Sequence, residues 1–352
     1  MTKATVGRPA AIAEGVSQTF SSGFTALKNV SVAMESGRIT ALVGRNGSGK
    51  TTLLRLLAGI LKPTSGTIQI LNERVGLRSK SLRARLGYVS QSAELDPEMT
   101  GLETFLLFAA LFGVPSAQRS SRIEELASDF GLTAFLRRSV AEYSGGLRQR
   151  LHLALGLIHD PELLLLDEPT AALDPAGRIF MWELLSRLRS RGRGIVVVTH
   201  DLAEAAEHCN HVVLLENGSV LTSGSPADLI AAHAAWNLVV EWTKPLEENS
   251  AIPAQIAALA GVAAIAITQN RAQIHLAENE PAGVNAAADR IFDYLAKLPV
   301  ALVSFRLQAP DLANAYFNLT GGVIGERTAT PRGGSGEGLW GGRRGPQRGP
   351  AK

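Results

Sequence analysis

The chain has 352 residues, 45% hydrophobic and 19% charged, a balance that excludes a wholly disordered protein. Its length exceeds one ordinary core, so two units are expected. The net charge of +3 does not mark a nucleic-acid binder. From Gly321 onward Arg327, Arg332, Arg343, Arg344, Arg348 and Lys352 face only Glu326 and Glu337, which leaves the rest of the chain at −1.

Cys209 is the sole cysteine, so no intrachain disulfide forms and a reducing compartment is expected. The first twenty residues lack the basic-then-apolar layout of a secretion signal. No uninterrupted apolar run approaches the roughly 18–20 residues of a membrane helix, so a role at a membrane needs a separate spanning partner.

In chain order, residues 1–227 alternate apolar β-type runs with helical stretches, which predicts an α/β unit. Ala26–Met34 and Thr67–Leu71 look like half-exposed, antiparallel strands. Ile39–Val43, Leu163–Leu166 and Ile195–Val198 are short and almost wholly apolar, as suits strands buried on both faces of a mainly parallel sheet. Between Gly101 and Ile158 the pattern is helical, with Leu147, Leu151 and Leu155 four apart. Phe105, Phe108 and Phe112, with Leu106, Leu107 and Leu111, are expected mostly to pack a local helical core.

Residues 228–320 predict a second unit. Leu238, Val240 and Trp242 alternate as a strand; Ile252–Leu259 reads as a helix; Val262–Thr268 and Ala272–Leu276 read as a hairpin. Ala286–Leu298 follows as a helix, Val303, Phe305 and Leu307 alternate again, and Asp311–Leu319 closes as a helix. That βαββαβ order predicts a small ferredoxin-like α+β fold. Residues 321–352 are rich in Gly, Arg and Pro with little to bury, so a disordered tail is expected.

The chemistry concentrates in the first unit. Gly44-Arg45-Asn46-Gly47-Ser48-Gly49-Lys50-Thr51 fits the phosphate-loop pattern between a buried strand and a helix. Its glycines let backbone N–H groups turn inward, and the helix beginning near Lys50 adds its positive end. Lys50 is expected to reach the β- and γ-phosphates of ATP, and the Thr51 hydroxyl to ligate Mg²⁺, with Thr52 completing the wall. Asp167, at the end of four leucines, is placed to hold the Mg²⁺ shell, and Glu168 to polarise an attacking water. At Tyr143-Ser144-Gly145-Gly146, a hydroxyl caps a helix whose glycines allow close approach, an arrangement suited to a γ-phosphate. His152, His208, His211 and Cys209 lack metal-ligand spacing and read as structural.

These motifs together resemble the ATP-binding subunits of ABC transporters, and Tyr143–Arg150 resembles that family's signature. The resemblance implies a P-loop cassette with a RecA-like core, an antiparallel β subdomain and a helical subdomain. It implies ATP hydrolysis and a head-to-tail dimer in which Ser144, Gly145 and Gly146 meet ATP held by the other subunit. Gln91 matches the family's Mg²⁺- and water-contacting glutamine, Asp174 the aspartate that crosses the dimer interface, and His200 the switch histidine on the γ-phosphate. Leu147 stands where the family usually has Gln, and Tyr143 where it has Leu. Phe20 is the first choice for stacking on adenine, with Phe24 the alternative.

Leu95–Glu103, the signature, and Pro310–Gly321 resemble the drug-resistance branch of ABC-2 exporters. That implies export of a drug, lipid or polysaccharide-like cargo through a separate membrane subunit, which exposed residues near Glu94–Glu103 would touch. The chain would then sit peripherally on the cytoplasmic face of the plasma membrane. An importer ATPase, or a soluble ABC ATPase acting on ribosomes or DNA, is the alternative. No tandem cassette or basic folded domain supports the latter, and no nucleic-acid partner is expected.

Overall fold

The computed structural model describes residues 8–74, 80–91, 95–243, 252–268, 270–278, 280–298 and 301–320. Glu94 and the tail from Gly321 lie outside them.

The chain opens with strands β1 (Pro9–Thr19), β2 (Thr25–Glu35) and β3 (Ile39–Val43), then helix α1 (Lys50–Leu57). Strands β4 (Ser65–Ile70) and β5 (Glu73–Arg74), helix α2 (Lys80–Arg83) and strand β6 (Leu86–Val89) follow. A helical stretch holds α3 (Gly101–Leu111), α4 (Ser116–Asp129) and α5 (Gly145–Gly156). The chain then alternates through β7 (Leu163–Asp167), α6 (Pro175–Ser190), β8 (Gly194–Thr199), α7 (Leu202–His208), β9 (His211–Glu216), β10 (Ser219–Gly224) and α8 (Pro226–His233).

Six of these strands form one sheet in the order β10-β9-β3-β8-β7-β6, parallel except where β10 pairs with β9. Alternation along its strands divides the residues between two cores. Leu42, Leu163, Leu165, Val196 and Val198 pack with α1 and the antiparallel sheet β2-β1-β4-β5. Ala41, Val43, Leu164, Leu166 and Val197 pack with the helices of the opposite face. Both faces being covered is why these strands read as unbroken apolar runs. Strand β1 carries no such mark in the sequence. Its inward residues Ala10, Ala11 and Ala13 are small, and Gly15 sits at φ +59 within a shift of register, so neither size nor alternation announces a strand.

Tyr143, a departure from the family pattern, is buried, and its hydroxyl donates to the Phe135 carbonyl at 2.7 Å. A Cβ on Gly101 would lie 2.1 Å from that hydroxyl, so the glycine at the head of α3 makes room for the larger ring. Thr100 and Glu103 close a reciprocal capping box there.

The expectation that α3 mostly packs the chain's own core is corrected. Phe105 is fully buried and Phe108 partly so, but Leu106, Leu107, Leu111 and Phe112 are exposed, Leu111 to 71%. A helix apolar on every side has only one side to give to a single core, so half of its apolar residues face outward.

The second unit comprises β11 (Asn237–Trp242), α9 (Ile252–Ala257), β12 (Val262–Thr268), β13 (Arg271–Leu276), α10 (Pro281–Leu295), β14 (Leu302–Gln308) and α11 (Leu312–Thr320). Its antiparallel sheet runs β12-β13-β11-β14, the ferredoxin-like order. Helices α9 and α10 cover one face around Trp242, Ile256, Ile274 and Ile291. On edge strand β14 the alternating apolar set is partly the exposed one, with Val303 62% exposed. Helix α11, grouped by sequence with this unit, buries Leu312 and Ala315 in the core of the first unit and packs on α8 and α7.

Four histidines give the fold an acid limit. Burial pushes His152 down to about 4 and also lowers His159, His211 and His275. The native state keeps these rings neutral, while the unfolded chain takes up protons near pH 6.5, so protonation favours unfolding. The stabilisation is complete above that pH and is lost as pH falls toward 4, with His152 contributing up to about 3 kcal/mol. Urea midpoints at pH 7.5, 6 and 5 are expected to fall in that order, and His152→Leu to flatten the slope.

Candidate active site

The carboxyl ends of parallel strands β3, β6, β7 and β8 deliver, in turn, Gly44–Gly49, Gln91, Asp167 with Glu168, and His200. Loops at that edge of a parallel sheet converge on one crevice, because every strand ends on the same side. They enclose a cavity of about 790 Å³ lined by Phe24, Ala26, Arg45, Asn46, Gly47, Gly49, Lys50, Thr51, Thr52, Gln91, Glu168 and His200.

The loop after β3 is fixed from behind. A Cβ on Gly44 would lie 2.1 Å from the Leu215 carbonyl of β9. Gly49 caps α1 at φ +103, where a Cβ would lie 2.7 Å from the Ala26 carbonyl. Lys50 is buried, and its ammonium donates to the carbonyls of Gly44 (2.8 Å) and Arg45 (2.9 Å), which folds the loop around it. Burial pulls Lys50 below the ordinary lysine range, while Glu168, Asp167 and Glu216 draw it back. Ser48 Oγ is buried without a hydrogen-bond partner. A buried ammonium held by carbonyls, an orphaned hydroxyl and the N-terminus of α1 together fit a phosphate chain.

Thr51 Oγ1 donates to Asp167 Oδ1 at 3.1 Å. Burial raises Asp167 above the usual aspartate range, the Thr51 hydrogen bond lowers it, and neighbouring Glu168 raises it again. A hydroxyl beside a buried carboxylate is an oxygen donor set suited to Mg²⁺.

Glu168 occupies a left-handed backbone conformation, φ +50, which a non-glycine residue keeps only when its surroundings hold it there. Its N–H donates to the Val198 carbonyl at 3.0 Å. Its carboxylate is braced on both oxygens: Gln91 Nε2 donates to Oε2 at 3.1 Å, and His200 Nδ1 lies 3.3 Å from Oε1. Residues from two neighbouring strand ends, Gln91 after β6 and His200 after β8, thus converge on the carboxylate that follows β7.

The remaining predicted residues divide. Asn46, Gly47, Lys50, Thr51 and Thr52 line the cavity, and Gly44 and Ser48 lie in the loop behind it. Phe24 stands in the wall, whereas Phe20, the first choice from sequence, is not among the lining residues; its N–H donates to the Phe24 carbonyl within the same turn. Arg45, a variable position of the loop pattern with no role expected from sequence, also lines the cavity.

Ser144, Gly145, Gly146 and Asp174 are absent from the cavity wall. Ser144 caps α5 by accepting the Leu147 N–H at 3.2 Å, and Asp174 caps α6 by accepting the Gly177 N–H at 2.8 Å. All but the half-buried Gly146 are exposed.

Known proteins share these features. A sequence-family profile described as ABC transporter matches residues 27–171. The Nod factor export ATP-binding protein I of Cupriavidus metallidurans is 37% identical over 62% of this chain and 72% of its own. The proteins of the same name from Paraburkholderia xenovorans and Rhizobium sp. are each 38% identical, over 61% and 64% of this chain and 71% and 74% of theirs. Among solved structures, the chain resembles cbiO1 from Clostridium perfringens, part of an ABC transporter complex. That match has a TM-score of 0.59 and 29% identity over 63% of this chain and 91% of that one. An ATP-binding cassette solved as a dimer in a post-hydrolysis state with ADP and Pi matches with a TM-score of 0.56 and 29% identity, over 61% of this chain and 98% of that one.

Proposed function

Because this chain belongs to the ABC transporter family as an ATP-binding, ATP-hydrolysing subunit, we propose that Glu168 activates the hydrolytic water and that turnover powers export through a separate membrane subunit. The observation that carries this reading is the Glu168 carboxylate, braced by Gln91 and His200 at the mouth of the phosphate-loop cavity.

In the reaction, the water oxygen bonds to the γ-phosphorus of ATP while Glu168 receives its proton. The bond from that phosphorus to the β,γ-bridging oxygen breaks, and ADP leaves with the bridging oxygen. Lys50 and the loop N–H groups stabilise charge on the phosphates, and His200 holds the γ-phosphate in line. Thr51 and Asp167, with Gln91, would hold Mg²⁺, which when bound supplies further neutralisation of that charge. The aromatic wall for adenine is Phe24, whose carbonyl accepts the Phe20 N–H within the same turn.

The signature turn lies apart from this cavity, exposed at Ser144 and Gly145. Hydrolysis therefore requires two copies, head to tail, each closing the other's site through Ser144–Gly146 and Asp174. The dimeric post-hydrolysis cassette among the similar structures supports that arrangement.

For the membrane partner, the exposed apolar side of α3 is the proposed contact. Leu106, Leu107, Leu111 and Phe112 are exposed there, and Phe112, at the C-terminal end of α3, lines a cavity of about 460 Å³ in which it stacks on His159 at 4.2 Å. Among the described residues no helix is long and apolar enough to cross a membrane. From its likeness to ATP-binding subunits of exporters, the chain is proposed to bind peripherally at the cytoplasmic face. Export, rather than import, follows the Nod factor export proteins that it resembles, and the cargo would contact the membrane subunit rather than this chain.

Affinity capture of the tagged chain with ATP, from detergent-solubilised membranes of its host, tests this. A polytopic protein at matching stoichiometry is expected, and its loss from Leu107→Glu with Leu111→Glu, with ATP binding retained. Recovery of ribosomes alone would leave the ATPase standing and overturn export.

A further inference from the structure

Helix α11 is bonded to the back of the phosphate loop. Leu312 and Ala315 seat it in the core of the first unit, and Asn318 Nδ2 donates to the His233 carbonyl at the end of α8, at 2.8 Å. One turn along from Leu312, the Tyr316 hydroxyl donates to Glu216 Oε2 at 2.6 Å, and the Arg45 backbone lies against the same phenol. Burial and the Glu216 carboxylate both raise the Tyr316 phenol, so it remains a donor.

Glu216 ends β9, and the β9–β10 turn supports the phosphate loop. The Gly218 N–H donates to the Ser48 carbonyl at 3.2 Å. Leu215 presents the carbonyl that leaves no room for a side chain on Gly44. Glu216 is also one of the three carboxylates that act on Lys50. A hydrogen bond to this carboxylate therefore acts on both the position of the loop and the field at its lysine.

The second unit reaches the same helix from the other side. His275 of β13 stacks on Phe317, with ring centres 5.3 Å apart and planes 13° from parallel. The contacts thus run from the C-terminal sheet to α11, from α11 to Glu216, and from Glu216 and its turn to Gly44, Ser48 and Lys50.

We infer that Tyr316 is a positioning residue for the phosphate loop, acting through Glu216, so that nucleotide affinity depends on how α11 and the C-terminal sheet are docked. This rests on the assignment of the loop to nucleotide. Coupling of this kind is reciprocal: if docked α11 tightens nucleotide binding, bound nucleotide tightens the docking of α11 by the same factor. The ordinary role of a closing helix is stability alone, and that role predicts no such reciprocity.

Tyr316→Phe deletes one hydroxyl and keeps the ring. Measured with a fluorescent ATP analogue, its Kd is expected to rise about five- to tenfold, the scale of one ordinary hydrogen bond and a part of what a bond to a charged group contributes. The melting temperature is expected to move little. Hydrogen exchange across residues 312–320 is expected to slow when nonhydrolysable ATP binds the wild type, and to lose that response in Tyr316→Phe. Glu216→Gln, which keeps an acceptor but removes the charge, is expected to fall between them. A wild type that binds no nucleotide overturns the parent reading. A wild type that binds, beside a Tyr316→Phe variant with unchanged Kd and an α11 indifferent to nucleotide, overturns this inference alone.

Discussion

Glu168→Gln is expected to lower ATP turnover at least about a hundredfold while ATP stays bound, the range set by removing a general base. The substitution is nearly isosteric, so the strained backbone at φ +50 and the hydrogen bond from Glu168 N–H to the Val198 carbonyl are preserved. What changes is charge. Glu168 is the only carboxylate among the cavity-lining residues, and Gln91 and His200 hold it where it can accept a proton from water. An amide in its place cannot take that proton. It also removes a negative charge facing the polyphosphate, which favours retention of uncleaved ATP. The variant is therefore expected to elute as an ATP-dependent dimer in size-exclusion chromatography, with ATP rather than ADP recovered from the peak. Turnover at the wild-type rate would remove Glu168 from the role of base.

The residues behind that expected result are legible in the sequence itself, and the reason is local. Gly44–Thr51, Asp167, Glu168 and His200 follow strands so apolar that their ends mark the crevice directly. In the second unit the order of elements is also legible, because its alternations and turns are regular. Less legible are features decided by contacts between distant segments. Strand β1 hides behind alanines. Phe24 and Phe20 are four residues apart in one turn, and only the fold shows which lines the cavity. Helix α3 shows apolar residues on every side, and only the packing shows which of them face outward. Likewise, nothing in the spacing of Tyr316 and Glu216, a hundred residues apart, announces that one hydroxyl joins them.

The second large effect concerns Gly145, where the chain's own needs and those of a dimer separate. A Cβ at this position would meet nothing within 4 Å, and at Gly146 only Leu173 at 3.8 Å. Packing within one chain therefore does not demand glycine there. Aspartate in the first turn of α5 would in fact suit the helix, by roughly 0.5–1 kcal/mol from the macrodipole and the lost flexibility of glycine. Gly145→Asp is thus expected to leave the melting temperature unchanged or slightly raised, and to bind ATP in its own cavity within about twofold of wild type. If the partner's γ-phosphate sits against this turn, however, the new carboxylate meets a polyanion at close range, where unscreened repulsion costs several kcal/mol. Turnover is then expected to fall at least about a hundredfold. Added to Glu168→Gln, the substitution is expected to return the ATP-trapped dimer to a monomer. A Gly145→Asp protein that is as stable as wild type and also hydrolyses and dimerises normally would separate the signature turn from the second nucleotide. A stable, ATP-binding monomer without turnover would support the proposed place of Ser144–Gly146 across the dimer interface.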